Sequence, residues 1–141
     1  MSNRFILDTN ILVFLITNDF DEISNDVKVL LEDRSNVFYT SSVAILEILQ
    51  LFRIGKVRFK KGQKINDVLN HIKDVLFVEV VPFTEVHTKT LSGLEIYDGH
   101  NDPFDHAIIS QAITDRYTLI SSDRKFREYI PQNLSFIYNK R

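Results

Sequence analysis

Two hydrophobic patterns alternate along the chain: short continuous apolar runs, and longer stretches where apolar residues recur at helical spacing. Phe5-Ile6-Leu7 reads as a buried strand over residues 4 to 7, followed by a helix from about Asn10 to Thr17 that carries Ile11 to Ile16. Ser24 opens a second helix with Val27, Leu30 and Leu31 on one face, stopping near Asp33-Arg34-Ser35-Asn36. Val37 to Thr40 is the next strand. Thr40, Ser41 or Ser42 then caps a helix that runs through Glu47 to about Ile54 and ends at Gly55.

Beyond a basic connection, the pattern predicts a helix over 65–73, a strand over 76–81 closed by Pro82, and a helix capped by Thr84 that reaches Ser92. A polar loop with Gly93 and Gly99 leads to Asp102 as N-cap and Pro103 at the first position of a helix ending near Arg116. A strand over 118–121, a short helix over 124–129 and a last strand over 134–138 complete the series. Strands alternating with helices predict an α/β fold whose mainly parallel sheet is covered on both faces.

Composition narrows this picture without redirecting it. With 141 residues the chain has room for one domain with a real core and not for two, so 1–141 is expected to be a single domain. Its 44% hydrophobic and 26% charged residues argue against disorder. A net charge of −2 gives no general attraction to nucleic acid, so any polyanion must be met by a local basic patch or a bound metal. The absence of Cys removes disulfides, thiolate nucleophiles and Cys-based zinc sites. The apolar stretch that reaches Ile16 is broken by Asp8-Thr9-Asn10, which gives neither a signal peptide nor a membrane span and leaves a cytoplasmic protein as the expectation.

Four acids stand where acids are costly. Asp8 follows Phe5-Ile6-Leu7, Glu47 lies inside Val43 to Leu49, Asp105 inside Pro103 to Ile109, and Asp123 follows Thr118 to Ser121. An unpaired carboxylate buried among Leu and Ile costs several kcal/mol or gives up its charge, so each needs a partner. Asp8 and Asp123 fall just after strands, where parallel sheets gather polar sites. Asp105 sits in a helix's first turn, which favours negative charge, and the Glu47 helix is expected to be buried, its carboxylate projecting into a pocket. Together the four could share divalent ions, and all-oxygen ligands favour Mg²⁺ or Mn²⁺ over Zn²⁺.

At these residues the chain resembles the PIN-domain family, and more closely the toxins of VapBC-type toxin–antitoxin pairs. The matching pieces are Leu7-Asp8-Thr9-Asn10, the Ser41-Ser42 to Glu47 helix, Asn101-Asp102-Pro103-Phe104-Asp105, and Ile120-Ser121-Ser122-Asp123-Arg124-Lys125-Phe126. Their order and spacing agree across essentially the whole chain. The resemblance implies a PIN-like three-layer α/β/α sandwich and a Mg²⁺- or Mn²⁺-dependent endoribonuclease, with an RNA substrate, a small antitoxin partner and a homodimer. It implies Asp8, Glu47, Asp105 and Asp123 as catalytic and metal-site residues, with Ser121 near the metal and Thr9 and Asn10 in support. Hydrolysis by a metal-bound water would leave a 5′-phosphate and a 3′-hydroxyl.

His106 departs from the family's pattern, which often has Arg after the third acid; it either meets substrate phosphate as a pH-dependent cation or fills space. His100, two residues before Asp102, is a further candidate for a His/Asp metal site. Arg53, Lys56, Arg58, Lys60, Lys61 and Lys64 form a basic run that either guides RNA or is a solvated connection. The helix face near Leu51, Phe52 and Ile54 either packs in the core or receives an antitoxin helix or a second copy of the chain. Two other functions stay open: an Asp8-dependent phosphatase or phospho-acceptor domain, against which Asn10 stands where such phosphatases carry a second Asp, and a PIN-like domain used only for binding.

Overall fold

The computed structural model describes residues 3–59 and 62–141; Met1, Ser2 and two members of the basic run, Lys60 and Lys61, lie outside the described residues. Its strands are β1 (Arg4–Leu7), β2 (Val37–Ser41), β3 (Val78–Val81), β4 (Thr118–Ser121) and β5 (Ser135–Tyr138). All pairings are parallel, in the order β3-β2-β1-β4-β5. Between them run α1 (Thr9–Ile16), α2 (Asn25–Glu32), α3 (Ser42–Arg53), α4 (Ile65–Asp74), α5 (Glu85–Gly93) and α6 (Pro103–Asp115), with a tight 3-10 segment at Arg124–Gln132.

Alternation along the strands divides the interior into two cores. Phe5, Leu7, Phe38, Val78 and Ile120 meet Ile11 and Leu12 of α1, Val27 of α2, and Val68 and Ile72 of α4. On the other face Ile6 and Leu119 meet Ile108, Ile109 and Ala112 of α6, and Phe126 and Tyr129 of the 3-10 segment. α5 packs on α6, tied by His87 Nε2 to Asp115 at 2.8 Å and by the Thr90 and Thr114 hydroxyls at 2.7 Å. The result is the three-layer α/β/α arrangement the sequence pattern predicts.

Three local readings are corrected. The strand expected from residue 76 starts at Val78, because Phe77 turns through φ 53° and leaves its ring 78% exposed. The short helix expected over 124–129 is a 3-10 segment extending to Gln132, with Pro131 inside it. α3 is not buried around its circumference: Ala44 and Ile48 face the cores while Leu46 is 56% exposed, so Glu47 sits on the border between core and solvent. No helix of the described residues is long and apolar enough to cross a membrane.

Candidate metal centre

Strand order explains where the polar residues gather. From β1 the chain moves outward through β2 to β3, then crosses back to β4 and outward to β5, so consecutive loops diverge between the neighbours β1 and β4. A crevice opens at the carboxyl ends of strands where such a sheet reverses direction. Asp8 directly follows β1, Ser121 ends β4, and Asp123 caps the 3-10 segment.

Short-range hydrogen bonds hold this wall. The Asp8 backbone N–H donates to the Ile120 carbonyl at 3.0 Å, and Asp8 Oδ1 accepts the Thr9 N–H at 2.8 Å as the N-cap of α1. Its Oδ2 accepts the Ser121 hydroxyl at 2.6 Å and Asn10 Nδ2 at 3.2 Å. Ser121 Oγ accepts in turn from the Asp123 N–H at 3.0 Å, while Asn10 Oδ1 takes the Ser122 N–H at 3.2 Å. Thr9, Asn10 and Ser121 thus surround Asp8.

Glu47 of α3 and Asp105 of α6 line the same cleft, of about 400 Å³, together with Asp8, Thr9, Asn10 and Asp123. All four acids singled out in the sequence therefore meet in one place. Two further charged residues line it, neither of them among the site residues the sequence predicts. Asp102 was recognised as the helix cap, which it is, through the Phe104 N–H at 2.9 Å, yet it also adds a fifth carboxylate to the cleft. Arg141, over the Phe14 ring and paired with Glu22, stands at the rim and carried no motif signal.

The charge is poorly balanced. Burial pushes Asp8 up to about 7, with Asp105 and Glu47 raising it further against the Ser121 and Thr9 hydrogen bonds. Asp105 also rises to about 7, chiefly by burial and then by Asp102, Asp123 and Glu47, with Lys125 opposing. Of the four, only Asp8 is fully buried; the others are half-buried and open to the cleft. Among the described residues no Lys or Arg is ion-paired with any of them. The donor set is oxygen-rich and surplus in negative charge, and the Thr9 hydroxyl is buried in the wall without a partner. Such a set fits a hard divalent cation of the Mg²⁺ or Mn²⁺ kind.

The remaining sequence candidates lie elsewhere. His106 is buried, 2.7 Å through Nε2 from the His100 carbonyl, and does not line the cleft. His100 is buried behind Asp105, with Nε2 at 2.9 Å from Oδ2. With Asp105 and Asp123 it offers donor atoms within 4.8 Å of one another. Burial holds its imidazole below the ordinary value. Of the basic run, Arg53, Lys56, Arg58 and Lys64 are exposed, Arg58 lines a different recess beside Ile16 and His71, and none of the four lines the acidic cleft. Phe52 packs on Phe59 in a tilted pair with ring centroids 4.5 Å apart.

Residues 5–130 match the family model described as PIN domain. Among solved structures, the chain is similar to one in VapBC2 from Rickettsia felis bound to a DNA fragment from their promoter: 25% identity, TM-score 0.66, covering 97% of this chain and 99% of that one. A chain of VapBC-1 from nontypeable Haemophilus influenzae is 19% identical, with TM-score 0.62 and coverage of 96% and 97%. One of VapBC-5, from a toxin–antitoxin family in Mycobacterium tuberculosis, is 16% identical, with TM-score 0.57 and coverage of 99% and 100%. No curated protein matches the chain.

Proposed function

The chain belongs to the PIN domain family, and on that premise we propose that it is a Mg²⁺- or Mn²⁺-dependent endoribonuclease, the toxin of a VapBC-type pair, folded as a single domain over 1–141. The observation that carries this reading is the meeting of Asp8, Glu47, Asp105 and Asp123 in one cleft with two of them shifted to about 7. Burial first and neighbouring carboxylates second disfavour the charged forms, and a bound divalent cation would reverse that balance.

Asp8, Glu47, Asp105 and Asp123 would hold the metal. Bound there, divalent ions would supply charge neutralisation and water activation for in-line displacement at a phosphodiester. The chain's own groups do the positioning. Ser121 and Asn10 fix Asp8 Oδ2, the Thr9 N–H fixes Oδ1, and the Lys125 N–H at 3.0 Å fixes Asp123. Against an Asp8-dependent phosphatase stands Asn10, at the place where such enzymes carry a second Asp and here a hydrogen-bond donor to Asp8 Oδ2.

Partners follow from the surface beside the cleft. Leu46, Gln50, Leu51 and Phe104 line a recess of about 390 Å³ that shares Glu47 and Leu51 with the acidic cleft. An apolar shelf next to the site suits an antitoxin helix laid across it, which would cover the carboxylates. The VapBC complexes similar to this chain favour such a partner; a homodimer, an RNA substrate and a cytoplasmic location belong to the same proposal. Purified protein is expected to cleave RNA with Mg²⁺ or Mn²⁺ and to stop with chelator or with Asp8→Asn. Cleavage that survives either treatment sinks the reading.

A further inference from the structure

Behind Asp105 lies a buried polar cluster, His100, His106 and Tyr129, that packing alone does not require. His100 comes from the loop between α5 and α6, just after Gly99, whose φ of 78° makes the turn. Reciprocal bonds staple that loop to the 3-10 segment: the Glu95 N–H donates to Gln132 Oε1 at 2.9 Å, and Gln132 Nε2 donates to the Glu95 carbonyl at 3.0 Å.

The hydrogen positions in the cluster are determined by its acceptors. His106 Nε2 lies 2.7 Å from the His100 carbonyl, which can only accept, so that nitrogen carries a proton. The Tyr129 hydroxyl oxygen receives the Tyr97 N–H at 3.2 Å and faces the same protonated Nε2 at 3.3 Å. One acceptor is left for its own hydrogen, His100 Nδ1 at 2.8 Å. With Nδ1 accepting, the neutral His100 ring bears its proton on Nε2, which points at Asp105 Oδ2, 2.9 Å away. Protonating both ring nitrogens would strand the Tyr129 hydrogen inside the protein, where a lost partner is costly.

We propose that His100 is a positioning residue, locked by Tyr129 as the Nε2–H tautomer, which donates to Asp105 Oδ2 and aims the other carboxylate oxygen into the cleft. This rests on the metal-holding part of the function proposed for the cleft. The competing arrangement makes His100, Asp105 and Asp123 a metal triad. A ligating Nε2 needs its lone pair free, and the Tyr129 contact denies it.

Long-range ¹H–¹⁵N spectra of the labelled protein, free and with Mg²⁺, read the tautomer directly, with the His100 signals assigned by their loss in His100→Gln. The expected result is protonated Nε2 and bare Nδ1 in both states. Protonated Nδ1, or loss of the Nε2 proton when Mg²⁺ is added, overturns the proposal. Mn²⁺ affinity, followed by the signal of the free ion in electron paramagnetic resonance, is expected to fall about 10-fold or more in His100→Leu and to recover within roughly 3-fold in His100→Gln, whose amide can still donate. A Gln variant as weak as Leu overturns it as well. If His100→Leu does not fold, the tautomer of the unaltered protein still decides. Neither readout uses RNA, so failure of RNA cleavage removes the nuclease reading and leaves this one standing, while the wrong tautomer does the reverse.

Discussion

The two walls of the cleft hold their acids by different means. Asp8 is held by what lies next to it, the first turn of α1 and the end of the adjoining β4, through Thr9, Asn10 and Ser121. Asp105 is held from behind by an imidazole delivered on a loop and oriented by a phenol from another segment. Both carboxyls reach about 7. Burial raises both, and neighbouring carboxylates add to it, but one carboxyl is fixed by groups beside it in the first turn of α1 and at the end of β4, and the other by a side chain brought in on a loop.

Removing the carboxylate on the first wall should have the largest effect. Asp8→Asn keeps the N-cap acceptor and the shape, and is expected to lower RNA cleavage on the order of 10²- to 10³-fold while leaving the fold intact by circular dichroism. Asp105→Asn should match it; a much smaller loss would mean that the walls are unequal in the chemistry too.

Stability against pH gives the next contrast. Asp8 and Asp105 carry folded values near 7 against 3.8 for the free side chain. A raised carboxyl binds more protons in the folded state than in the unfolded one, so the stability these two groups contribute is full below about pH 4 and is lost as pH rises through about 7. Metal-free protein should lose melting temperature over that window, and Mg²⁺ should restore more of it at pH 7.5 than at pH 5. Asp8→Asn is expected to flatten the metal-free slope, since a tenfold difference in proton affinity between the folded and unfolded chain corresponds to about 1.4 kcal/mol. A slope unchanged by that substitution would show that burial of Asp8 is not its source.

Smaller effects should separate the walls further. Ser121→Ala removes the 2.6 Å donor from Asp8 and is expected to cost about 1–2 kcal/mol in thermal unfolding and to weaken Mn²⁺ binding at pH 6.5 more than at pH 8. Lys56→Ala and Arg58→Ala, away from both walls, should change cleavage less than about 2-fold, or roughly 0.5 kcal/mol. A large loss in those variants would instead give the basic run a part in RNA binding.

Much of the framework was legible because apolar periodicity and cap chemistry are local. Asp102 and Pro103 announce α6, Ser24 announces α2, and the runs at 4–7 and 118–121 are strands as predicted. Four acids were also traceable, each at a place where a charge conflicts with its neighbours. What stayed hidden depends on distance in sequence. No pattern joins His100 to Tyr129, 29 residues on, and so the neighbour of Asp105 could be noted only as a possible ligand. His106 likewise looked like a candidate for substrate because its departure from Arg was visible and its burial against Tyr129 was not. Phe77 misled for the opposite reason: a β-favouring residue ran on from a real strand, and only the left-handed turn at that position excluded it.

The bond between Asp8 and Ser121 spans 113 residues, and Asn139 braces the same floor by donating its backbone N–H to the Ser121 carbonyl at 2.8 Å and its Nδ2 to Ser122 Oγ at 2.7 Å. During synthesis Asp8 therefore emerges long before its counterpart. A growing chain cannot assemble the cleft until β4 has followed, and the floor is braced only once Asn139 has been added.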